Sequence, residues 1–122
     1  MQKPLNIAIA GLGTIGGGTL KIIQENAALL EMRSGRKINL VAVLERNKDR
    51  FKLPGVKWAE SPAELVGMPE LDVVVELIGG SEGIAKTLVE SALKAGKHVV
   101  TANKALIAHH GMELAELAEK IR

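Results

Sequence analysis

Three glycines near the beginning of the chain have the spacing of a phosphate-binding turn. Gly11, Gly13 and Gly16 follow a short apolar run and precede a stretch with helical periodicity. In such a turn the first glycine allows a tight bend, the second lets the backbone approach a pyrophosphate, and the third lets the helix pack closely on the strand. The free N–H groups at the start of the helix then bind the phosphates. In this context the pattern favours dinucleotide binding over a strand-to-helix turn without a ligand.

Two charged residues, Glu45 and Arg46, follow the second apolar run, where a dinucleotide-binding domain holds the adenine ribose. Glu45 lies further from Gly16 than the usual spacing of about 20 positions, and the excess fits a long first helix. A carboxylate here binds the ribose hydroxyls of NAD, whereas an arginine binds the 2′-phosphate of NADP. Neighbouring strand side chains point to opposite faces, so we expect only one of the two to face the site. The alternative for each is a solvated strand end, and the choice between NAD and NADP stays open.

Two further segments, 76–81 and 96–104, follow or contain apolar runs in the second half of the chain. An open α/β sheet binds its ligands beyond the carboxyl ends of its strands. Gly79 and Gly80 would let the backbone approach the nicotinamide side of a cofactor, and Lys104 would place a cation beside it. The alternative for Lys104 is a solvated lysine at the start of a helix.

The apolar pattern also predicts the elements that must position these residues. Their alternation is typical of a doubly wound α/β sheet of parallel strands, the Rossmann-type fold, in a single domain spanning residues 1–122. Ser61, Pro62 and Glu64 have the residue types of a capping box with proline in the first turn. Strands are predicted over 5–10, 38–44, 56–58, 71–78 and 97–101, and helices over 14–32, 61–67, 81–95 and 103–122.

The composition restricts the classes of function. The 122 residues are 47% hydrophobic and carry a net charge of +2, with the charges scattered, which argues against a nucleic-acid partner. The absence of cysteine excludes disulfide scaffolds, thiolate metal sites and cysteine nucleophiles. No apolar segment is long enough for a signal peptide or a membrane span. We therefore expect a soluble, cytoplasmic domain with no membrane partner and an aliphatic core.

Two adjacent histidines, His109 and His110, raise the question of a metal site. Neighbouring helical side chains point about 100° apart and chelate one ion poorly, and no carboxylate cluster accompanies them in the sequence. We expect no metal here. We predict that the histidines end a helix, where the helix dipole favours cationic side chains. Ser81 and Glu82 are predicted to begin the preceding helix, with the serine as its cap.

Taken together, the glycine turn, segment 74–80 and segment 96–104 resemble homoserine dehydrogenase. The resemblance spans nearly all of the chain but only the amino-terminal nucleotide-binding domain of that enzyme. Its most discriminating part is the run from Thr101 to Ala108. It implies reversible hydride transfer between aspartate semialdehyde and homoserine, with NAD(H) or NADP(H), in the biosynthesis of threonine and methionine.

At the adenosine end of the cofactor, the resemblance implies pyrophosphate contacts by Gly13, Thr14 and Ile15. It leaves the adenine ribose to Glu45 or Arg46.

At the nicotinamide end, the resemblance implies that Gly79 and Gly80 lie along the cofactor. Lys104 matches a family lysine near the nicotinamide and substrate, where it transfers a proton or orients the substrate. Thr101 and Asn103 would shape the same pocket, so the nicotinamide end of the site is expected to be built from these five residues.

Members of this family continue for well over a hundred further residues, which bind the substrate, form the dimer and hold a metal ion. We therefore expect this chain to bind the cofactor without turnover by itself, as a fragment or as half of a split enzyme. The substrate would be a partner only in a complete enzyme. The alternatives are a non-catalytic dinucleotide-sensing or interaction module, and a sugar-dehydrogenase-like enzyme. That second group places its lysine before proline, whereas Lys104 precedes Ala105.

Overall fold

The computed structural model describes residues 3–45, 53, 55–78 and 82–121. The elements in chain order are β1 (Leu5–Ala10), α1 (Thr14–Glu25), α2 (Ala27–Ser34), β2 (Ile38–Leu44), β3 (Lys57–Ala59), α3 (Pro62–Val66), β4 (Val73–Glu76), α4 (Ile84–Lys94), β5 (His98–Thr101) and α5 (Lys104–Ile121). None of the described helices is long and apolar enough to cross a membrane.

The five strands form one sheet in the order β3-β2-β1-β4-β5, and every pair of neighbours is parallel. The chain builds outward from β1 to β3 and then returns to the other side of β1 to add β4 and β5. The strand order therefore reverses between β1 and β4, and ligands of such sheets bind beyond the carboxyl ends of the strands at this point. The predicted doubly wound α/β fold is confirmed.

The core is aliphatic on both faces of the sheet, as predicted. One face joins strand residues such as Ala8, Ala42 and Val74 to Leu65 of α3 and Leu88 of α4. The other face joins Ile9 and Val43 to Leu12 and Leu20. Because β1 and β4 are covered on both faces, packing on the core positions their carboxyl ends where the site is expected.

The first helix differs from the prediction, because residues 14–34 form two helices that are divided at Asn26. The side-chain Nδ2 of Asn26 donates a hydrogen bond to the carbonyl oxygen of Ile22 at 2.9 Å. The Asn26 amide donates to the same carbonyl at 3.0 Å, so the side chain and the backbone of Asn26 share one acceptor at the end of α1. The helical segment ends at Ser34, slightly later than predicted, where Gly35 caps α2 in the left-handed conformation, with φ of 76°.

The beginnings of two other helices test the predicted caps. Ser61 caps α3 as predicted, because its Oγ accepts a hydrogen bond from the Glu64 amide at 3.2 Å. The prediction for α4 is wrong: the helix begins at Ile84 with Gly83 as its N-cap, at φ of 79°. Glycine adopts this positive φ without the penalty of a side chain. Ser81 lies outside the described residues.

Candidate cofactor site

The β1–α1 turn brings its first glycine against the exit of β4. Gly11 has φ of 90°, and a Cβ at this position would lie 2.9 Å from the Ile78 nitrogen and from the carbonyl group of Leu77. A side chain is therefore excluded twice, by the backbone conformation and by the neighbouring backbone. The predicted tight turn is confirmed, and its glycine also permits close packing of two strand ends.

Gly13 has the opposite surroundings. It is exposed, and a Cβ there would meet nothing within 4 Å. Gly13 is the N-cap of α1 and provides no side-chain cap, and the first turn of that helix carries no acidic residue. The positive end of the helix dipole is consequently not neutralised by a side chain of that turn. This geometry leaves room for an anionic group beside the helix terminus.

The structure brings Glu45 to the glycine turn. Its Oε1 accepts a hydrogen bond from the Leu12 amide at 2.9 Å, so the carboxylate lies beside the residue between the first two glycines. Arg46, the other candidate for the adenine ribose, lies outside the described residues. The role of Glu45 toward a ribose stays a prediction, and its position beside the turn is compatible with that role.

A buried carboxylate joins the ends of β4 and β5. It begins the segment 76–81 that the sequence analysis singles out, but no role of its own was predicted for it. Glu76 is completely buried at the end of β4. Its Oε2 accepts a hydrogen bond from the Ile78 amide at 2.7 Å, and its Oε1 accepts one from the Thr101 hydroxyl. The available signal was a charged residue directly after the valines of a strand that is apolar on both faces.

Thr101 and Asn103 continue this hydrogen-bond network toward α5. The Asn103 amide donates to the Thr101 hydroxyl oxygen at 3.0 Å. The Asn103 Oδ1 accepts from the Leu106 amide at 3.0 Å, and this contact caps the helix. Lys104 is exposed at the first position of that helix.

The structure thus brings three predicted residues, Thr101, Asn103 and Lys104, to one edge of the sheet. Gly79 and Gly80 lie outside the described residues. The backbone of Thr14, Ile15 and Gly16 forms the first turn of α1. The predicted cofactor contacts of all these residues remain predictions.

Another carboxylate contact involves Glu82, which follows Gly79 and Gly80 in the sequence. Glu82 Oε1 is 2.6 Å from His110 Nε2, and Glu113 Oε1 is 3.5 Å from His110 Nδ1. The hydrogen bond to Glu82 raises the pKa of His110, and the same bond lowers the pKa of Glu82. Both carboxylates therefore favour the protonated imidazole.

This contact corrects the prediction for the two histidines. His109 and His110 lie in the middle of α5, which continues without a break to Ile121. His110 is accompanied by carboxylates that come from tertiary packing and from the next turn of its own helix. Within the part of the chain that the structure describes, no group of three or more histidine, aspartate and glutamate side chains has a geometry for metal binding.

Comparison with known proteins gives one consistent family. Residues 11–122 match the family model described as homoserine dehydrogenase, NAD binding domain. The homoserine dehydrogenase of Neisseria gonorrhoeae is 47% identical over 121 residues, covering 98% of this chain and 28% of that protein. That of Pseudomonas aeruginosa is 44% identical over 125 residues, with the same coverage.

Solved structures give the same result. A homoserine dehydrogenase from Thiobacillus denitrificans superimposes with a TM-score of 0.87 at 43% identity, covering 97% of this chain and 28% of that one. The Staphylococcus aureus enzyme at pH 7.5 gives a TM-score of 0.86 at 37% identity, covering 99% and 31%. The chain therefore spans less than a third of the length of the relatives that it matches.

Proposed function

This chain belongs to the homoserine dehydrogenase NAD-binding domain family, and we propose that it holds the coenzyme for hydride transfer between aspartate semialdehyde and homoserine. Family membership supports NAD or NADP as the cofactor. The substrate would bind only in an enzyme that also contains the substrate-binding region of the longer relatives. We further propose a cytoplasmic location, and a single domain over residues 1–122 with neither nucleic acid nor a membrane as partner.

The open space at Gly13 carries the proposal for the pyrophosphate. The fold requires glycine at Gly11, where backbone atoms would lie within 2.9 Å of a Cβ, but makes no such demand at Gly13. A pyrophosphate lying against the turn would explain why the second glycine is present. Thr14 and Ile15 would then offer backbone N–H groups to the phosphates, and Gly16 would let α1 pack closely on β1.

The adenine ribose is assigned to the end of β2. Glu45, held beside the turn by the Leu12 amide, would accept hydrogen bonds from the ribose hydroxyls of NAD. Arg46 would instead bind the 2′-phosphate of NADP. These two residues therefore offer alternative coenzyme preferences, which binding measurements can separate.

The nicotinamide is assigned to the exits of β4 and β5. Gly79 and Gly80 would let the backbone lie along the cofactor, and Thr101 and Asn103 would shape the pocket. When bound, the nicotinamide supplies or accepts the hydride. Lys104, exposed where α5 begins, would donate a proton to the developing alkoxide or orient the substrate.

Calorimetric titration of the chain with NAD, NADH, NADP and NADPH tests this proposal. We expect saturable binding of at least one reduced coenzyme, and its loss below detection in Gly13→Val, because the new side chain fills the space beside the phosphates. Gly18→Val is the matched control, since Gly18 is also exposed on α1 with open space around it. Circular dichroism should show all three proteins folded. Unchanged affinity in Gly13→Val would remove the pyrophosphate from this turn.

A further inference from the structure

We propose that Glu76 is a positioning residue, which fixes the nicotinamide side of the site by joining the exits of β4 and β5. This inference rests on the proposed function, because the segments that Glu76 joins are the ones assigned to the nicotinamide. Glu76 itself lies beneath these segments, completely buried. It is therefore proposed to act through its neighbours.

Burial of this carboxylate has to be explained, since glutamate is almost never fully buried unless it is paired. The strand that it ends, β4, is otherwise Val73, Val74 and Val75. An apolar side chain would continue that pattern, but it would leave the Ile78 amide and the Thr101 hydroxyl without the acceptor that they now have. The carboxylate is therefore explained by the donors that it holds.

The donors held by Glu76 belong to two different segments. Its Oε2 binds the Ile78 amide, immediately before the pair Gly79 and Gly80. Its Oε1 binds the Thr101 hydroxyl, and its backbone carbonyl accepts from the Ala102 amide at 3.4 Å. One residue thus fixes the entrance to the glycine pair and the exit of the neighbouring strand.

The second of these contacts extends to the start of α5. With its proton directed to Glu76, the Thr101 hydroxyl keeps its lone pairs for the Asn103 amide at 3.0 Å. Asn103 in turn caps the helix that begins at Lys104. The position of that lysine backbone is therefore linked to Glu76 through two successive residues.

The Ile78 contact also reaches the glycine turn. The Ile78 nitrogen that donates to Glu76 is one of the atoms that would lie 2.9 Å from a Cβ on Gly11. Glu76 consequently holds the peptide against which the pyrophosphate turn packs. A carboxylate suits this place because both of its oxygens accept here, whereas a glutamine must present one donor group to Ile78 or to Thr101.

Titrations with NADH and with ADP-ribose, which lacks the nicotinamide ring, test this inference. We expect Glu76→Gln to weaken NADH by about tenfold, the order of effect of one lost hydrogen bond, because one of the two segments that Glu76 holds loses its acceptor. Binding of ADP-ribose should weaken less, by no more than about twofold, because Glu76 reaches the pyrophosphate turn only through the Ile78 peptide. Glu70→Gln, an exposed glutamate, is the control and should change neither affinity.

Two variants of Thr101 keep the inference testable if Glu76→Gln does not fold. Thr101→Val removes the hydroxyl and should reproduce the selective loss of NADH, whereas Thr101→Ser keeps the hydroxyl and should restore binding. Equal losses for NADH and ADP-ribose would show a merely structural role, and no loss for either ligand would also overturn the inference. Failure of the unaltered chain to bind either ligand would instead refute the proposed function on which it rests.

Discussion

The two ends of the candidate site are built by different means. The β1–α1 turn works through backbone and through missing side chains, since Gly11 makes room for the β4 exit and Gly13 leaves open space. The β4 and β5 exits work through side chains, with Glu76 and Thr101 buried or half-buried and hydrogen-bonded to one another. Phosphate is bound by a general feature of helix termini, whereas a reacting ring requires groups that are held at particular positions.

This difference predicts how each end responds to substitution. At the glycine turn, added side-chain atoms should lower the affinity for every ligand that carries a pyrophosphate. At the β4 and β5 exits, removing or altering a polar group should lower the affinity for the nicotinamide end of the cofactor or the rate of the reaction. The largest effect is expected where the proposed chemistry takes place.

Removal of the proposed proton donor should give that largest effect. In a chimaeric enzyme in which these residues replace the matching segment of the Neisseria gonorrhoeae enzyme, we expect Lys104→Ala to lower kcat by roughly 10²–10⁴-fold. That is the usual range for a positioned acid–base group. Affinity for the coenzyme should change little, because the lysine is assigned to the substrate side of the nicotinamide. Steady-state kinetics of homoserine oxidation gives the measurement.

Lys120→Ala is the control for this prediction, since Lys120 is an exposed lysine near the other end of α5. It should leave kcat unchanged. If Lys104→Ala turns over homoserine at a near-normal rate, that lysine is a solvated residue at a helix start and the β5 exit holds the cofactor without taking part in the reaction.

The same difference explains what could be predicted from the sequence. Glycine spacing is a local signal, and it located the turn because backbone conformation and close packing both require the residue at Gly11. The strands of the sheet were also predictable, because buried parallel strands are continuous apolar runs. The Rossmann-type fold therefore followed from patterns within single segments.

Tertiary contacts account for what was missed. Glu76 and Thr101 are 25 positions apart, and Glu82 and His110 are 28 apart. No periodicity within one segment reports such pairs, so the buried carboxylate and the partner of His110 became visible only in the folded chain. The first helix is divided at Asn26, whose side chain also binds the Ile22 carbonyl, but helical spacing on either side of it concealed the break.

The coenzyme preference provides a further test at the adenosine end of the site. If Arg46 binds the 2′-phosphate, Arg46→Ala should weaken NADPH by about 1.5–3 kcal/mol, the range for hydrogen bonds to charged groups, and leave NADH unaffected. If Glu45 binds the ribose hydroxyls, Glu45→Ala should weaken NADH instead. Calorimetry with both coenzymes on both variants distinguishes the two. Equal losses for the two coenzymes in Arg46→Ala would exclude a specific phosphate contact.

The smallest effect is expected at the contact between Glu82 and His110, which anchors the far side of the β4–α4 connection to α5. His110 faces Glu82 from the segment before α4 and Glu113 from its own helix, with His109 beside it and Lys86 near Glu82. The pKa of His110 is raised from 6.5 and that of Glu82 is lowered from 4.5. The histidine contribution to stability is therefore complete below pH 6.5 and is lost as the pH rises through the raised pKa, whereas the carboxylate contribution is lost only as the pH falls below 4.5.

We therefore expect His110→Gln to lower the melting temperature at about pH 5.5 by about 2 °C or less, as for an ion pair with an exposed carboxylate, and to have less effect at about pH 8.5. Thermal unfolding of both proteins at the two pH values gives the measurement. His98→Gln, an exposed histidine on β5, is the control and should show no such pH dependence.

Because Glu82 follows the segment assigned to the nicotinamide, NADH binding should weaken slightly from about pH 5.5 to about pH 8.5 in the unaltered chain and not in His110→Gln. An identical pH dependence in the two proteins would mean that the β4–α4 connection is positioned from its Glu76 side alone.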